Sequence, residues 1–158
     1  MMEKEFYYEL ALQSMQGKLL SDELCMQILT VSSGIELLPL LDAAYQVRKK
    51  YFGNEVQLHM INNAQNGHCP EDCHYCSQAK SSNADIEKYT LKPDKEIIDE
   101  AERAYEAGAF RYCMVFAGRG PSKKRVEHLA RLIRDIKALF PIQVCISAGI
   151  IDKEDAQV

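Results

Sequence analysis

From Val56 onward the chain alternates between short runs of period two and longer runs of helical period. No other feature of the sequence constrains the fold as tightly, because strand–helix alternation is satisfied by parallel strands joined through helical crossovers. The first strand is read over Val56 to Asn62, where Val56, Leu58 and Met60 alternate with Gln57 and His59. A helix capped by Asp94 then carries Ile97, Ile98, Ala101, Ala104 and Tyr105 to a stop at Gly108. A second strand is expected from Phe110 to Phe116. Ser122 is placed to cap the next helix, whose apolar stripe is Val126, Leu129, Ile133, Ile136 and Phe140, with Pro141 breaking it. Gln143 to Ser147 reads as a third strand, and Asp152 as the beginning of a further helix.

Residues 1–53 read instead as a helical extension. Ser21 starts one helix, with Leu24, Ile28 and Leu29 on a face. Cys25, on that helix, is expected to be a small buried apolar filler. A second helix carries Leu37, Leu38, Leu41, Ala44, Tyr45 and Val47 and ends at Gly53-Asn54. The expected fold class is α/β: after this extension, residues 54–158 form the N-terminal portion of a (βα) TIM-type barrel, about three βα units long. A complete eightfold barrel needs roughly 250 residues, so the 158-residue chain reads as truncated within a barrel. A small open α/β sheet is the alternative.

The sequence is 47% hydrophobic and 27% charged, which suits a packed core, and its net charge of −4 argues against nucleic acid as a partner. Met1 to Leu10 contains Glu3, Glu5 and Glu9 without a continuous apolar stretch, so neither an export signal nor a membrane span is expected there. The expectation is a cytoplasmic protein with no membrane partner. Its six cysteines are then more readily metal ligands than disulfides.

About thirty residues without a clear period separate the first strand from Pro93, and a loop that long in a compact domain usually has a function. It contains Cys69-Pro70-Glu71-Asp72-Cys73-His74-Tyr75-Cys76. Close thiolates on a turn can hold three corners of an iron–sulfur cube, leaving one iron open to a small molecule. Tetrahedral zinc, with His68 or His74 as fourth ligand, is the other reading. It usually takes two separated ligand pairs, and no second close-spaced pair follows here. Strand parity adds a second cluster of interest. Phe110, Tyr112, Met114 and Phe116 share one face of the second strand, and Val144 and Ile146 one face of the third. If these bulky faces meet the helices, Cys113 and Cys145 point into the barrel, beside Arg111, Gln143, Ser147, Gln57 and His59. Two buried free thiols and a functional pair both satisfy that parity.

Three cysteines at this spacing, with an aromatic residue before the last, resemble the signature of the radical S-adenosylmethionine superfamily. Within it, the run Asn66 to Gln78, the segment Arg111-Tyr112-Cys113-Met114, and Val144-Cys145-Ile146 followed by Gly149 resemble the biotin synthase family. The similarity spans about residues 20 to 158. It implies a 4Fe–4S cluster on Cys69, Cys73 and Cys76 whose open iron takes S-adenosylmethionine, with Tyr75 near the adenine. It also implies that Cys113 and Cys145 are two of the ligands of a 2Fe–2S cluster, the sulfur donor. The implied activity is radical insertion of sulfur into dethiobiotin to give biotin, by a sulfurtransferase drawing electrons from flavodoxin or ferredoxin and acting as a homodimer. The remaining 2Fe–2S ligands of that family, a cysteine and an arginine, are expected beyond Val158, so the chain alone is expected to be inactive. Val115 to Pro121 departs from the commoner family pattern of small residues followed by Trp-Arg or Trp-Lys and resembles a variant form. A maturase or mutase of the same superfamily is the nearer alternative, a non-catalytic zinc module the remoter one.

Arg119, Lys123, Lys124 and Arg125 flank a helix start, where cations oppose the dipole. They read as a solvated positive patch, with an anion-binding role as the other reading, and His128 as a residue of that helix's wet face.

Overall fold

The computed structural model describes residues 4–30 and 37–158. Of the segment expected to be helical, residues 1–3 and 31–36 lie outside the described ones. The chain divides into two compact units, the first ending at Val56 and the second running from Gln57 to Val158.

The first unit holds α1 (Lys4–Met15), α2 (Asp22–Leu29) and α3 (Leu37–Phe52). Tyr7 and Ala11 of α1 bury against Ala43 of α3, with Phe6, Met15, Leu40 and Val47 around them. Ser21 caps α2, its hydroxyl accepting from Leu24 N at 3.3 Å. Gly53 follows α3 at φ +57°, the left-handed turn that ends a helix at little cost for glycine. Cys25 corrects its expectation: α2 has no buried residue, and Cys25 is exposed. The partly covered face of α2 carries Leu24 and Ile28, and Cys25 falls outside it.

The second unit is a three-stranded parallel sheet, order β1-β2-β3, from β1 (His59–Gln65), β2 (Arg111–Phe116) and β3 (Gln143–Ser147). The connections are α4 (Asp94–Glu106) and α5 (Lys123–Leu139). A short 3-10 turn, Asp155–Gln157, follows β3, where a longer helix starting at Asp152 was expected; its N-cap is Glu154, which makes no side-chain cap bond, and Asp152 Oδ1 accepts from Asp155 N at 2.7 Å ahead of it. Both helices cover one face. Tyr112, Met114 and Phe116 of β2 pack there with Ile97, Ala101 and Ala104 of α4 and Leu129, Leu132 and Ile136 of α5. Leu132 and Ile136 are both 0% exposed, and burial of each contributes about 1.5–3 kcal/mol. The parity expectation for β2 and β3 therefore holds. Registry pairs Tyr112 with Val144 and Cys113 with Cys145, so the two cysteines share the face turned away from the helices.

The first strand lies three residues later than the sequence pattern suggested. Its ladder opens where Leu58 O accepts from Phe110 N at 2.8 Å; Val56 and Leu58 are exposed, and Gln57 precedes the strand. Asn62, read as the strand's last residue, and Asn63, read as lying beyond it, are paired with Met114 and Val115. Asn62 is buried because its amide has partners: Nδ2 donates to Tyr112 Oη, and Oδ1 accepts from Lys92 Nζ at 3.1 Å. His59 does share the face of Arg111 and Gln143.

Asp94 does not cap α4. The N-cap is Pro93, which makes no side-chain cap bond, and Asp94 occupies the first helical position. Its carboxylate instead bridges to α5, reaching His128 Nε2 at 2.7 Å and Arg131 Nη2 at 3.1 Å. His128 is thus half-buried between helices and not on a wet face.

Candidate active site at the carboxyl edge of the sheet

Parallel strands end on one side, so the segments after Gln65, Phe116 and Ser147 all leave the sheet at the same edge. That edge is where α/β folds of this kind carry their sites. The first of these segments, residues 66–93, is the long loop containing the cysteines.

Its exit from β1 is sharp. Gly67 at φ +72° and His68 at φ +54° turn the chain through two successive left-handed residues. A Cβ on Gly67 would stand 2.6 Å from Lys88 Cγ, so glycine answers both the angle and the space. The return leg is stitched back onto the strand. Asn66 and Tyr89 exchange backbone bonds of 3.3 and 3.0 Å, Lys92 N donates to Ala64 O at 2.9 Å, and Tyr89 Oη donates to Asn63 O at 2.6 Å. Asn66 Nδ2 donates to Glu87 O at 2.6 Å, and Gly67 N donates to Gln78 Oε1 at 3.0 Å. The loop is therefore irregular in form yet pinned at both ends.

Inside it, Cys76 N donates to Cys73 O at 3.0 Å, which places Cys73 and Cys76 on one turn. Cys69 is half-buried, Cys73 and Cys76 are exposed, and all three are free thiols. Tyr75, between them, is fully exposed. Among the described residues no three His, Cys, Asp or Glu side chains stand together as a metal-binding group, so neither the cysteine trio nor a set completed by His68 or His74 is drawn together in this structure. The donor set nonetheless fits an iron–sulfur cube: three uncommitted thiols, two of them on one turn, in a segment free of regular structure.

Cys113 and Cys145 are brought together. They are cross-strand partners, both half-buried. Burial pushes the Cys113 thiol up to about 11, and the hydrogen bond and charge of Cys145 push in the same direction, against a smaller opposing effect of Arg111. A metal would reverse that balance, since thiols deprotonate on coordination. Arg111 Nη2 donates to Gln143 Oε1 at 2.8 Å on the same face.

Two features of the edge were not read from the sequence. Arg125 is half-buried: it donates to Gln65 Oε1 at 2.9 Å and lies 5.0 Å from the centroid of the Phe116 ring. With Gln65, Phe116 and Ala148 it lines a cavity of about 240 Å³ at the ends of the strands. Burial also holds its guanidinium below the ordinary value. Arg125 is therefore the residue of the basic run that departs from a solvated patch; Lys123 and Arg119 stay largely exposed, paired at the surface with Asp155 at 3.1 Å and Glu71 at 3.0 Å. The available signal was Gln65 itself, which becomes a site residue once β1 is extended past the asparagines.

A parallel βα sheet with a three-cysteine loop at its carboxyl edge defines a class. The chain belongs to the radical SAM superfamily, whose family model matches residues 66–158. Among curated proteins it is similar to the biotin synthase of Magnetococcus marinus, 51% identical over 144 residues, which are 91% of this chain and 44% of that protein. It is 56% identical over 124 residues to the biotin synthase of Acaryochloris marina, covering 78% of this chain and 36% of the relative. The chain thus spans less than half the length of the curated relatives it matches. Among solved structures, methylornithine synthase (PylB) superposes with a TM-score of 0.76 at 24% identity, over 92% of this chain and 42% of that one. The FeFe-hydrogenase maturase HydG from Carboxydothermus hydrogenoformans does so at 0.64 and 23%, over 90% of this chain and 33% of that one. At those identities the two likenesses speak for the fold, a partial βα barrel.

Proposed function

We propose that this chain is part of a biotin synthase, a radical S-adenosylmethionine sulfurtransferase that inserts sulfur into dethiobiotin. The observation that carries the reading is the side-by-side pairing of Cys113 and Cys145 on the face away from the helices. A mutase or maturase reading gives that pair no task, whereas sulfur insertion needs a sulfur source beside the radical source.

Cys69, Cys73 and Cys76 hold a 4Fe–4S cluster in this reading, and Cys113 and Cys145 supply two ligands of a 2Fe–2S cluster. When bound, the cubane and S-adenosylmethionine together supply, on one-electron reduction, a primary carbon radical able to take hydrogen from unactivated carbon. The chain's own residues bind and orient. Tyr75 offers an exposed ring for the adenine to lie against. The face bearing Cys113 and Cys145 lines the substrate's side of the barrel, where exclusion of water protects a reactive carbon centre. Electrons come from flavodoxin or ferredoxin, and the working form is a cytoplasmic homodimer. Among the described residues no helix is long and apolar enough to cross a membrane.

Anaerobic reconstitution of the complete protein with iron and sulfide tests this. The expected result is a cubane electron-paramagnetic signal that changes on adding S-adenosylmethionine, and biotin formed from dethiobiotin. Cys113→Ser is expected to keep the cubane signal and lose the 2Fe–2S absorbance and biotin formation together. Stoichiometric zinc with no cubane would overturn the reading.

A further inference from the structure

We propose that Arg119 is a positioning residue that props the Cys73–Cys76 turn over the carboxyl edge of the sheet, acting through Glu71. The inference rests on the cluster assignment above and adds a residue to it.

The cysteine turn sits inside a closed ring of backbone. Lys80 N donates to Glu71 O at 2.9 Å, and Ser81 Oγ donates to Asp72 Oδ1, so the segment from Glu71 to Ser81 is shut at its neck. Cys73, Tyr75 and Cys76 all lie within it. Two side chains hold this ring against the rest of the edge: Gln78 Oε1 accepts from Gly67 N at 3.0 Å, within the same loop, and Arg119 Nη1 donates to Glu71 Oε2 at 3.0 Å, which ties the ring to the loop after β2. Glu71 stands between the first two cysteines in sequence, so moving its carboxylate moves the neck of the ring.

A strut needs a fixed end, and Arg119 has one. Its carbonyl accepts from Ile150 N at 2.7 Å, tying the β2–α5 loop to the loop after β3. The two backbones are in closest contact there. A Cβ on Gly149, at φ +85°, would stand 2.3 Å from Arg119 O, and one on Gly120 would stand 2.5 Å from Ile150 O. Glycine at both positions lets the loops press together. The line Ile150–Arg119–Glu71 therefore links the loops that follow all three strands. Of the basic residues at this helix start, Arg119 alone reaches the cysteine loop; Lys123 turns to Asp155 and Arg125 to Gln65.

The pair is partly exposed, with side-chain exposures of 70% for Arg119 and 31% for Glu71. An exposed ion pair shifts a loop equilibrium by no more than about fivefold. That suits a residue that sets where the ligand loop rests without contributing much to global stability.

The test uses the complete protein in two states. In the metal-free state, hydrogen exchange is read at the Lys80 and Cys76 amides, with the core amide of Leu132 as internal control. Arg119→Ala is expected to speed exchange at Lys80 and Cys76 about threefold and to leave Leu132 unchanged. Arg119→Lys, which keeps the charge without the fork, should fall between. Glu71→Gln should match Arg119→Ala, and the double variant should be no faster than either single one. In the reconstituted state, the S-adenosylmethionine concentration that half-converts the cubane signal should rise about threefold in Arg119→Ala and be partly restored in Arg119→Lys. Unchanged loop exchange in Arg119→Ala, or additive effects in the double variant, would overturn the strut. Faster exchange with an unaltered cosubstrate response would overturn its positioning role. Absence of a cubane in the wild type would instead bring down the functional reading, while the metal-free measurement still judges the strut.

Discussion

Tyr112 is the polar hinge of an otherwise apolar face. Its ring is 2% exposed, its hydroxyl donates to Ile97 O at 3.0 Å and accepts from Asn62 Nδ2, and Asn62 in turn accepts from Lys92. Lys92 completes the line at Glu100, 2.8 Å away; burial works against its charge, but the hydrogen bond and charge of Glu100 prevail and hold its pKa above the ordinary value. Removing the Tyr112 hydroxyl leaves the Asn62 amide short of a buried partner. Tyr112→Phe should therefore cost about 1–2 kcal/mol in urea unfolding. Burial also raises the Tyr112 phenol to about 12 from 10. The unfolded chain gives up this proton first, so the native state is favoured below pH 10 and loses that advantage as pH rises from about 10 to 12. A wild-type stability profile steeper than that of Tyr112→Phe across that interval is the expected result. No sequence pattern announced this network. Asn62 and Asn63 look like a strand end because asparagine is disfavoured in strands, and only the arrival of Tyr112 and Lys92 from distant positions makes Asn62 a core residue.

At the scale of elements, the glycine contact between loops is the sharpest constraint. Gly149→Ala would force a methyl to 2.3 Å from Arg119 O at a positive φ, and a cost of about 1–3 kcal/mol is expected in thermal or urea melts. Because the same contact anchors Arg119, this substitution should also speed exchange at the Lys80 amide. Asp94→Ala removes the bridge from α4 to His128 and Arg131 of α5. With exposures of 38%, 23% and 60% for the three side chains, about 0.5–1 kcal/mol is expected, read by the same melts. These elements also show what was legible beforehand. The helices α4 and α5 were readable because their apolar stripes and the Ser122 cap are local signals. Strand parity put Cys113 and Cys145 on one face, because a period of two needs no tertiary information. Asp94 was misread for the converse reason. A carboxylate at a helix start satisfies the capping pattern, but His128 and Arg131 are 34 and 37 residues away and compete for it successfully. The stitching of the cysteine loop is likewise made of backbone bonds between residues distant in sequence, such as Asn66 with Tyr89.

Over the whole second unit, one face of the sheet is covered and the other is not. The helices bury Tyr112, Met114 and Phe116, while Ile61, registered beside Cys113 on the opposite face, is 70% exposed. Within the described sheet β1 and β3 each have a single hydrogen-bonded neighbour, so each presents a free edge. Free edges with unpaired backbone groups, here beside an uncovered face that carries the exposed Ile61, are the usual template for pairing between copies. On the helix side of β3, Val126, Leu129, Ile133, Ile146 and Ile151 line an apolar groove of about 380 Å³. The 158-residue polypeptide, prepared by itself, should therefore self-associate as its concentration rises, which light scattering coupled to size exclusion would read. Ile61→Lys puts a charge beside an open strand edge without touching the helix-side core, and should move the distribution toward monomer while leaving the melting midpoint within a few degrees. A concentration-independent monomer for the unsubstituted chain would mean that the face bearing Cys113 and Cys145 is shielded by something other than a second copy, and would remove the argument from open edges.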